Sequence, residues 1–231
     1  MKIGVLGGTF DPIHLGHTFI AGKIAQVFGL NQVIFMVSKF PPHKQAQGIS
    51  SAFHRHAMVV LGTMNESRFC ASTLELTRQG LSYTVDTLEE LGSGHPDDQF
   101  CFIAGTDSLS ELHLWYEYDK LLSRHCLIFV QRPGAEVDLD NLKIPSNLRD
   151  SIQFVETDKP PVIQKGRSFC VNLNAPPISS TEIRQMIESG RRPPQEFLSS
   201  MVYEYIRKYR LYEENPNLTE ESLRGNRRQK G

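Results

Sequence analysis

Seven short runs of apolar and β-branched residues punctuate the chain: Lys2 to Leu6, Gln32 to Val37, Phe69 to Leu76, Phe100 to Ala104, Cys126 to Val130, Ile152 to Val155 and Ser168 to Leu173. Each has the length and composition of a strand. Between the early ones, segments with apolar residues at helical spacing run from about Leu15 to Phe28, Ser51 to Met64, Tyr83 to Leu91 and Ser108 to Leu122. Strand and helix therefore alternate, which predicts an α/β fold: a doubly wound parallel sheet with right-handed crossovers and helices on both faces. In such a sheet the ligand site lies beyond the carboxyl ends of the strands, so loops that follow strands should carry the chemistry.

The stretch from Pro133 to Asn147 is polar, and Pro160-Pro161 and Pro176-Pro177 interrupt the chain again. This part reads as connections with one or two edge strands. Helical segments follow at Thr181 to Glu188 and about Glu196 to Tyr209, the latter with an apolar stripe of Met201, Tyr205 and Ile206. After Tyr212 only Leu218 and Leu223 are apolar, too little to offset the entropy of ordering a packed element. The expected organisation is one domain over 1–212 and a flexible hydrophilic tail over 213–231.

Composition narrows the partner. Twenty-five Lys plus Arg against 26 Asp plus Glu give a net charge of -1, so no field draws the chain to nucleic acid or a membrane, and a small molecule is expected. Cys70, Cys101, Cys126 and Cys170 are scattered, mostly inside apolar runs, and read as reduced buried thiols. With no signal-peptide pattern and no run of membrane-spanning length, a cytoplasmic location is expected. Oligomeric state is left open, a homo-oligomer included.

The first strand runs into Gly7-Gly8-Thr9-Phe10-Asp11-Pro12-Ile13-His14-Leu15-Gly16-His17, with a helix directly after. Two glycines permit a sharp turn and a close ligand approach, and Pro12 fixes the helix entry. The layout suits a phosphate cradle, yet neither the Gly-Lys-Ser/Thr end of a Walker loop nor G-x-G-x-x-G is present. An anion must then be held by backbone N–H groups, the helix N-terminus and the histidines. His14 and His17, three apart, share a face, and Gly16 leaves room beside them. Three roles fit such a pair: phosphate donors, a zinc pair, or local hydrogen bonding.

GGTFDPIHLGH resembles the signature of the nucleotidyltransferase superfamily with the H-x-G-H motif and, within it, of the bacterial nicotinate-nucleotide adenylyltransferases. The similarity continues through Phe40-Pro-Pro-His-Lys44, Ser82 to Leu88, Ile103 to Asp107, Trp115 to Tyr118, Gln131 to Gly134 and Ile178 to Arg184, spanning residues 1 to 212. It implies a Rossmann-like domain that moves AMP from ATP to nicotinate mononucleotide, giving nicotinate adenine dinucleotide and pyrophosphate in NAD biosynthesis. By the same resemblance His14, His17, Lys44 and Arg184 are catalytic, with His43 a helper. Gly7, Gly8, Thr9, Phe10, Gly16, Gly105, Asp107, Ile178, Ser180 and Thr181 bind ATP, and Thr84, Trp115 and Tyr116 bind the nicotinate ring.

Taken alone, several of these residues have plainer readings: Lys44 as a solvated lysine, Ser179-Ser180-Thr181 as a helix cap, Trp115 and Tyr116 as core aromatics. His54 and His56, two apart on a predicted helix, face different ways and read as surface residues. Because a phosphate monoester has its second pKa at about 6, the acceptor needs no strong base, which accounts for the lack of a visible catalytic triad. Mg2+ is expected to arrive with ATP, held by phosphate oxygens and waters with no protein ligand. The rival readings are an enzyme of the same superfamily using nicotinamide mononucleotide or phosphopantetheine, and a non-catalytic nucleotide-sensing module. Pantetheine-phosphate enzymes usually carry a hydroxyl residue where His14 stands and are shorter.

Overall fold

The computed structural model describes residues 1–39, 49–131, 138–155 and 161–213. All seven apolar runs form strands, and all pair in parallel: β1 (Lys2–Gly8), β2 (Gln32–Val37), β3 (Phe69–Ser72), β4 (Gln99–Gly105), β5 (Cys126–Gln131), β6 (Ile152–Val155) and β7 (Ser168–Asn172), in the order β3-β2-β1-β4-β5-β7-β6. The helices are α1 (Leu15–Phe28), α2 (Ala52–Thr63), α3 (Leu74–Thr77), α4 (Thr84–Gly94), α5 (Thr106–Ser110), α6 (Tyr118–Arg124), α7 (Ser146–Arg149), α8 (Ser180–Glu188) and α9 (Ser200–Tyr209). This is the Rossmann-like, doubly wound sheet that the alternation predicts.

Its central strands are apolar throughout because both faces are covered. On one face Leu6, Phe35, Ile103 and Ile128 pack with Ile24, Phe28, Met58, Ile183 and Ile206, that is, against α1, α2, α8 and α9. On the other Val5, Met36, Phe102, Leu127 and Phe129 meet Val85, Leu88, Leu109 and Leu121. Successive residues of one strand, such as Val5 and Leu6, belong to opposite cores, as the two-residue period of a strand requires. Each fully buried side chain of this size contributes roughly 1.5–3 kcal/mol.

Three boundaries differ most from expectation. The run Phe69 to Leu76 is a strand only to Ser72; the chain then turns into the single-turn α3. The helix expected over Ser108 to Leu122 is broken into α5, a 3-10 turn at Leu112–Leu114 and α6, with Trp115 extended and Glu117 left-handed at φ 48°. Ring contacts decide this: Trp115 packs edge-on to Phe102 at 6.1 Å and Tyr116 lies over Tyr83 at 4.4 Å. The last helix begins at Ser200, because the Ser199 side chain caps it by accepting from the Val202 N–H. Of the two late strands only β6 is at the edge, since β7 inserts between β5 and β6.

Cys101, Cys126 and Cys170 are buried, Cys70 is half-buried, and all four are free thiols. Burial pushes the Cys170 thiol up to about 12, which keeps it protonated and inert. His54 and His56 are not the surface residues expected. Both are half-buried, and His54 Nδ1 meets the Tyr205 hydroxyl at 2.9 Å, tying α2 to α9, while burial lowers the pKa of His56. Among the described residues no helix is long and apolar enough to cross a membrane.

Candidate active site

The sheet order reverses between β1 and β4, which are adjacent while their following helices go to opposite faces. A crevice opens at such a switch point. The loop after β1 carries His14 and His17, and the end of β4 and start of α5 carry Gly105 and Asp107, so the two candidate segments follow adjacent strands.

Within the first loop, the glycines act differently from expectation. Gly7 and Gly8 are the last residues of β1, not the turn itself. A methyl group on Gly7 would stand 2.6 Å from the Phe102 ring, and one on Gly8 would stand 2.8 Å from the Phe10 ring. The turn falls at Phe10, whose backbone is left-handed at φ 50°. The Phe10 side chain is buried and packs against His17 (5.0 Å) and Phe35 (5.7 Å), so only its main chain can meet a ligand.

His14 is the N-cap of α1 and His17 its third residue. The His14 N–H donates to His17 Nδ1 at 3.2 Å, and the two rings stack at 3.7 Å. The imidazoles thus share a face, as their spacing predicts. The room above Gly16 goes to His14: a methyl there would stand 3.0 Å from His14 Nδ1 and 3.5 Å from Ile178. Two first-turn donors of α1 are occupied, Leu15 N–H by the Phe197 carbonyl and His17 N–H by the His14 carbonyl, both at 2.9 Å. With no acidic side chain in that turn the helix end keeps its positive character.

Helix α8 closes the loop from the far end of the chain. Ser179 caps α8 by accepting from the Thr181 N–H at 3.2 Å, which bears out the hydroxyl-cap pattern. Ser180 Oγ donates to the Pro12 carbonyl at 3.0 Å, and Arg184 Nη1 donates to the Asp11 carbonyl at 2.7 Å. Arg184 Nη2 also reaches exposed Thr181 at 3.4 Å. Ser180, Thr181, Arg184 and Ile178 therefore lie around the H-x-G-H loop, with Arg184 and Ser180 holding its carbonyls.

At the end of β4 the Asp107 carboxylate folds back over Gly105, where any β-carbon would collide with it. Asp107 is exposed and sits in the first turn of α5. Thr84 is the first residue of α4, whose N-cap Tyr83 makes no side-chain cap, and the Tyr83–Tyr116 and Phe102–Trp115 ring pairs stand near it. Since the Phe102 ring also lies over Gly7, these aromatics connect the ring-pocket candidates to the end of β1. Thr9 is half-buried at the turn. Lys44 and His43 lie outside the described residues. Among those described, no group of three or more His, Cys, Asp or Glu side chains could hold a metal.

Three groups were not foreseen. Arg55 on α2 is 1% exposed and donates to the carbonyls of Thr9 (2.7 Å), Ser38 (2.8 Å) and Ser50 (3.0 Å). Burial lowers its pKa while Asp11 opposes the fall. Asp11, also buried, accepts from the Ser50 N–H at 3.1 Å and from the Tyr212 hydroxyl at 2.6 Å. Behind α4, buried Glu75 accepts from Thr87 (2.8 Å), which in turn accepts from Arg78 (2.9 Å); burial raises the Glu75 pKa.

The sequence pattern of the cytidylyltransferase-like family matches residues 5–186. A relative from Shewanella frigidimarina named probable nicotinate-nucleotide adenylyltransferase is 38% identical over 212 residues, covering 92% of this chain and 100% of its own. One of the same name from Mycobacterium tuberculosis is 37% identical over 210 residues, 91% of each chain. Among solved structures, the nicotinic acid mononucleotide adenylyltransferase of Plasmodium falciparum complexed with NaAD matches with a TM-score of 0.68 at 22% identity, over 91% of this chain and 97% of that one, which shows a common fold. With the family pattern spanning most of the chain and full-length relatives so similar, the chain belongs to the cytidylyltransferase-like family and, within it, to the nicotinate-nucleotide adenylyltransferases.

Proposed function

We propose that this protein transfers the adenylyl group of ATP to nicotinate mononucleotide, releasing pyrophosphate and forming nicotinate adenine dinucleotide in NAD biosynthesis. The observation that carries the reading is the meeting of the H-x-G-H loop with α8, through Ser180 on the Pro12 carbonyl and Arg184 on the Asp11 carbonyl, 168 and 173 residues apart in sequence. It gathers the imidazoles and a guanidinium at the sheet's switch point, where a triphosphate needs them.

A phosphate oxygen of the mononucleotide attacks the α-phosphorus; the new P–O bond forms as the bond to the β-phosphate bridge breaks, and the electron pair leaves with pyrophosphate. The acceptor phosphate is largely ionised at neutral pH, so no side chain need take a proton. Catalysis is then alignment plus charge stabilisation. His14 and His17 donate to the triphosphate, Lys44 adds charge, and Arg184 both adds charge and fixes the loop. Asp107, held back over Gly105, accepts from the ATP ribose. Magnesium enters as MgATP, a substrate rather than a resident of the protein. The reaction is placed in the cytoplasm, where ATP and the mononucleotide are available.

Pyrophosphate release with ATP and, in turn, nicotinate mononucleotide, nicotinamide mononucleotide and phosphopantetheine tests the reading. Release that depends on the nicotinate form is expected. No release with any acceptor would sink the enzymatic reading in favour of a nucleotide sensor.

The catalytic unit is proposed to be residues 1–212. Removing residues 213–231 is expected to change neither melting temperature nor turnover, since the deleted part has only Leu218 and Leu223 to bury. A clear loss in thermal unfolding would show that it packs on the domain.

A further inference from the structure

A carboxylate as buried as Asp11, 3% exposed, is tolerable only with hydrogen bonds and a counter-charge. One oxygen accepts from the Ser50 N–H, and the buried Arg55 guanidinium supplies positive charge nearby. The other oxygen depends on Tyr212, 201 residues away, whose phenol also touches Met58 Sδ at 3.9 Å. Burial and the Asp11 charge raise the Tyr212 pKa far above its ordinary value, so the phenol is a proton donor at any working pH.

The backbone that delivers this phenol is unusual. Past α9, Arg210 is left-handed at φ 49° as the helix C-cap, and Tyr212 is left-handed again at φ 66°. Non-glycine residues held there cost free energy and persist where surrounding contacts fix them. At Tyr212 the conformation accompanies the hydrogen bond to Asp11, one residue before Pro12 and three before His14.

We propose that Tyr212 is a positioning residue for the phosphate loop, acting through Asp11 to set the place of His14 and His17; this rests on the assignment of that loop to the triphosphate. Without the hydroxyl, one oxygen of a buried carboxylate has lost its donor, and Asp11 must turn toward water or another partner. The main chain that turns with it carries the carbonyls gripped by Arg184 and Ser180. The consequence falls on the triphosphate side of the site, since the ring-pocket candidates belong to other segments.

Tyr212→Phe in the full chain tests this by steady-state kinetics and by calorimetric binding of pyrophosphate. The expected result is a KM for ATP and a Kd for pyrophosphate each raised about tenfold or more, with KM for nicotinate mononucleotide within about twofold of the parent. Tyr209→Phe, a half-exposed phenol nearby on α9, serves as the control and keeps parent values. Parent-like pyrophosphate binding in Tyr212→Phe would overturn the proposal. So would an equal loss toward both substrates, or a variant unfolded at the assay temperature, each of which assigns the residue a structural role alone. Should the parent fail to use nicotinate mononucleotide, the reaction assignment falls, while pyrophosphate binding still decides the role of Tyr212.

Discussion

His17→Ala is expected to lower turnover by roughly two to four powers of ten in a protein that remains folded, and His14→Ala to follow it. The structure separates the two things His17 does. Its Nδ1 accepts the His14 N–H, which assigns the proton of the neutral ring to Nε2, the nitrogen proposed as donor to a phosphate oxygen. Loss of the cap costs about 1 kcal/mol, a small part of the roughly 5–15 kcal/mol that holds a domain folded. The folded fraction therefore hardly changes, and a hundredfold loss of kcat cannot come from unfolding. It has to come from charge left unpaired on the transferring and leaving phosphates. Kinetics at saturating substrates, together with a melting curve, check this. Turnover within a few-fold of the parent would remove His17 from the machinery, and stoichiometric zinc lost on substitution would make the histidines a metal pair instead.

The sheet was legible because its central strands are covered on both faces and so show as apolar runs. The H-x-G-H loop and the Ser179 cap were legible because both are local patterns. What holds the loop was not. Arg55 sits on a helix where one charged residue resembles any solvated one, yet it points inward and satisfies three carbonyls from separate segments. Asp11 reads as turn chemistry beside Pro12, and its partner Tyr212 follows 201 residues later. Nothing local in the chain joins them. The glycines mislead in a related way: G-G after a strand suggests a turn, but Gly7 and Gly8 are small because the rings of Phe102 and Phe10 occupy the space above them. The break near Trp115 likewise follows from ring contacts across the fold, which override an otherwise helical pattern.

A preference for nicotinate mononucleotide over its amide, by several powers of ten in kcat/KM, is the other large effect expected, and it must arise without a basic side chain. Neither Ser82 to Leu88 nor Leu114 to Tyr118, the segments assigned to the ring pocket, contains Lys or Arg. The structure offers the start of α4 instead. Tyr83 is extended there and caps nothing with its side chain, so the first-turn N–H groups beginning at Thr84 can serve a carboxylate. The Glu75–Thr87–Arg78 chain behind that helix fixes its position. Asp86 in the same turn offsets part of the helix-end charge, so selection rests on matched hydrogen bonds more than on net field. A carboxylate accepts at both oxygens, whereas the amide turns its own N–H₂ toward one of the donors and leaves two donors opposed. Sites built on such donors reject a mismatched analogue by roughly four to five powers of ten at best. Stacking on Trp115 is blind to the difference, because both rings present the same face; Trp115→Ala should weaken both substrates alike and leave their ratio unchanged. Equal kcat/KM for the two mononucleotides, or a preference for the amide, would take the start of α4 out of the pocket and move the enzyme toward nicotinamide mononucleotide as its acceptor.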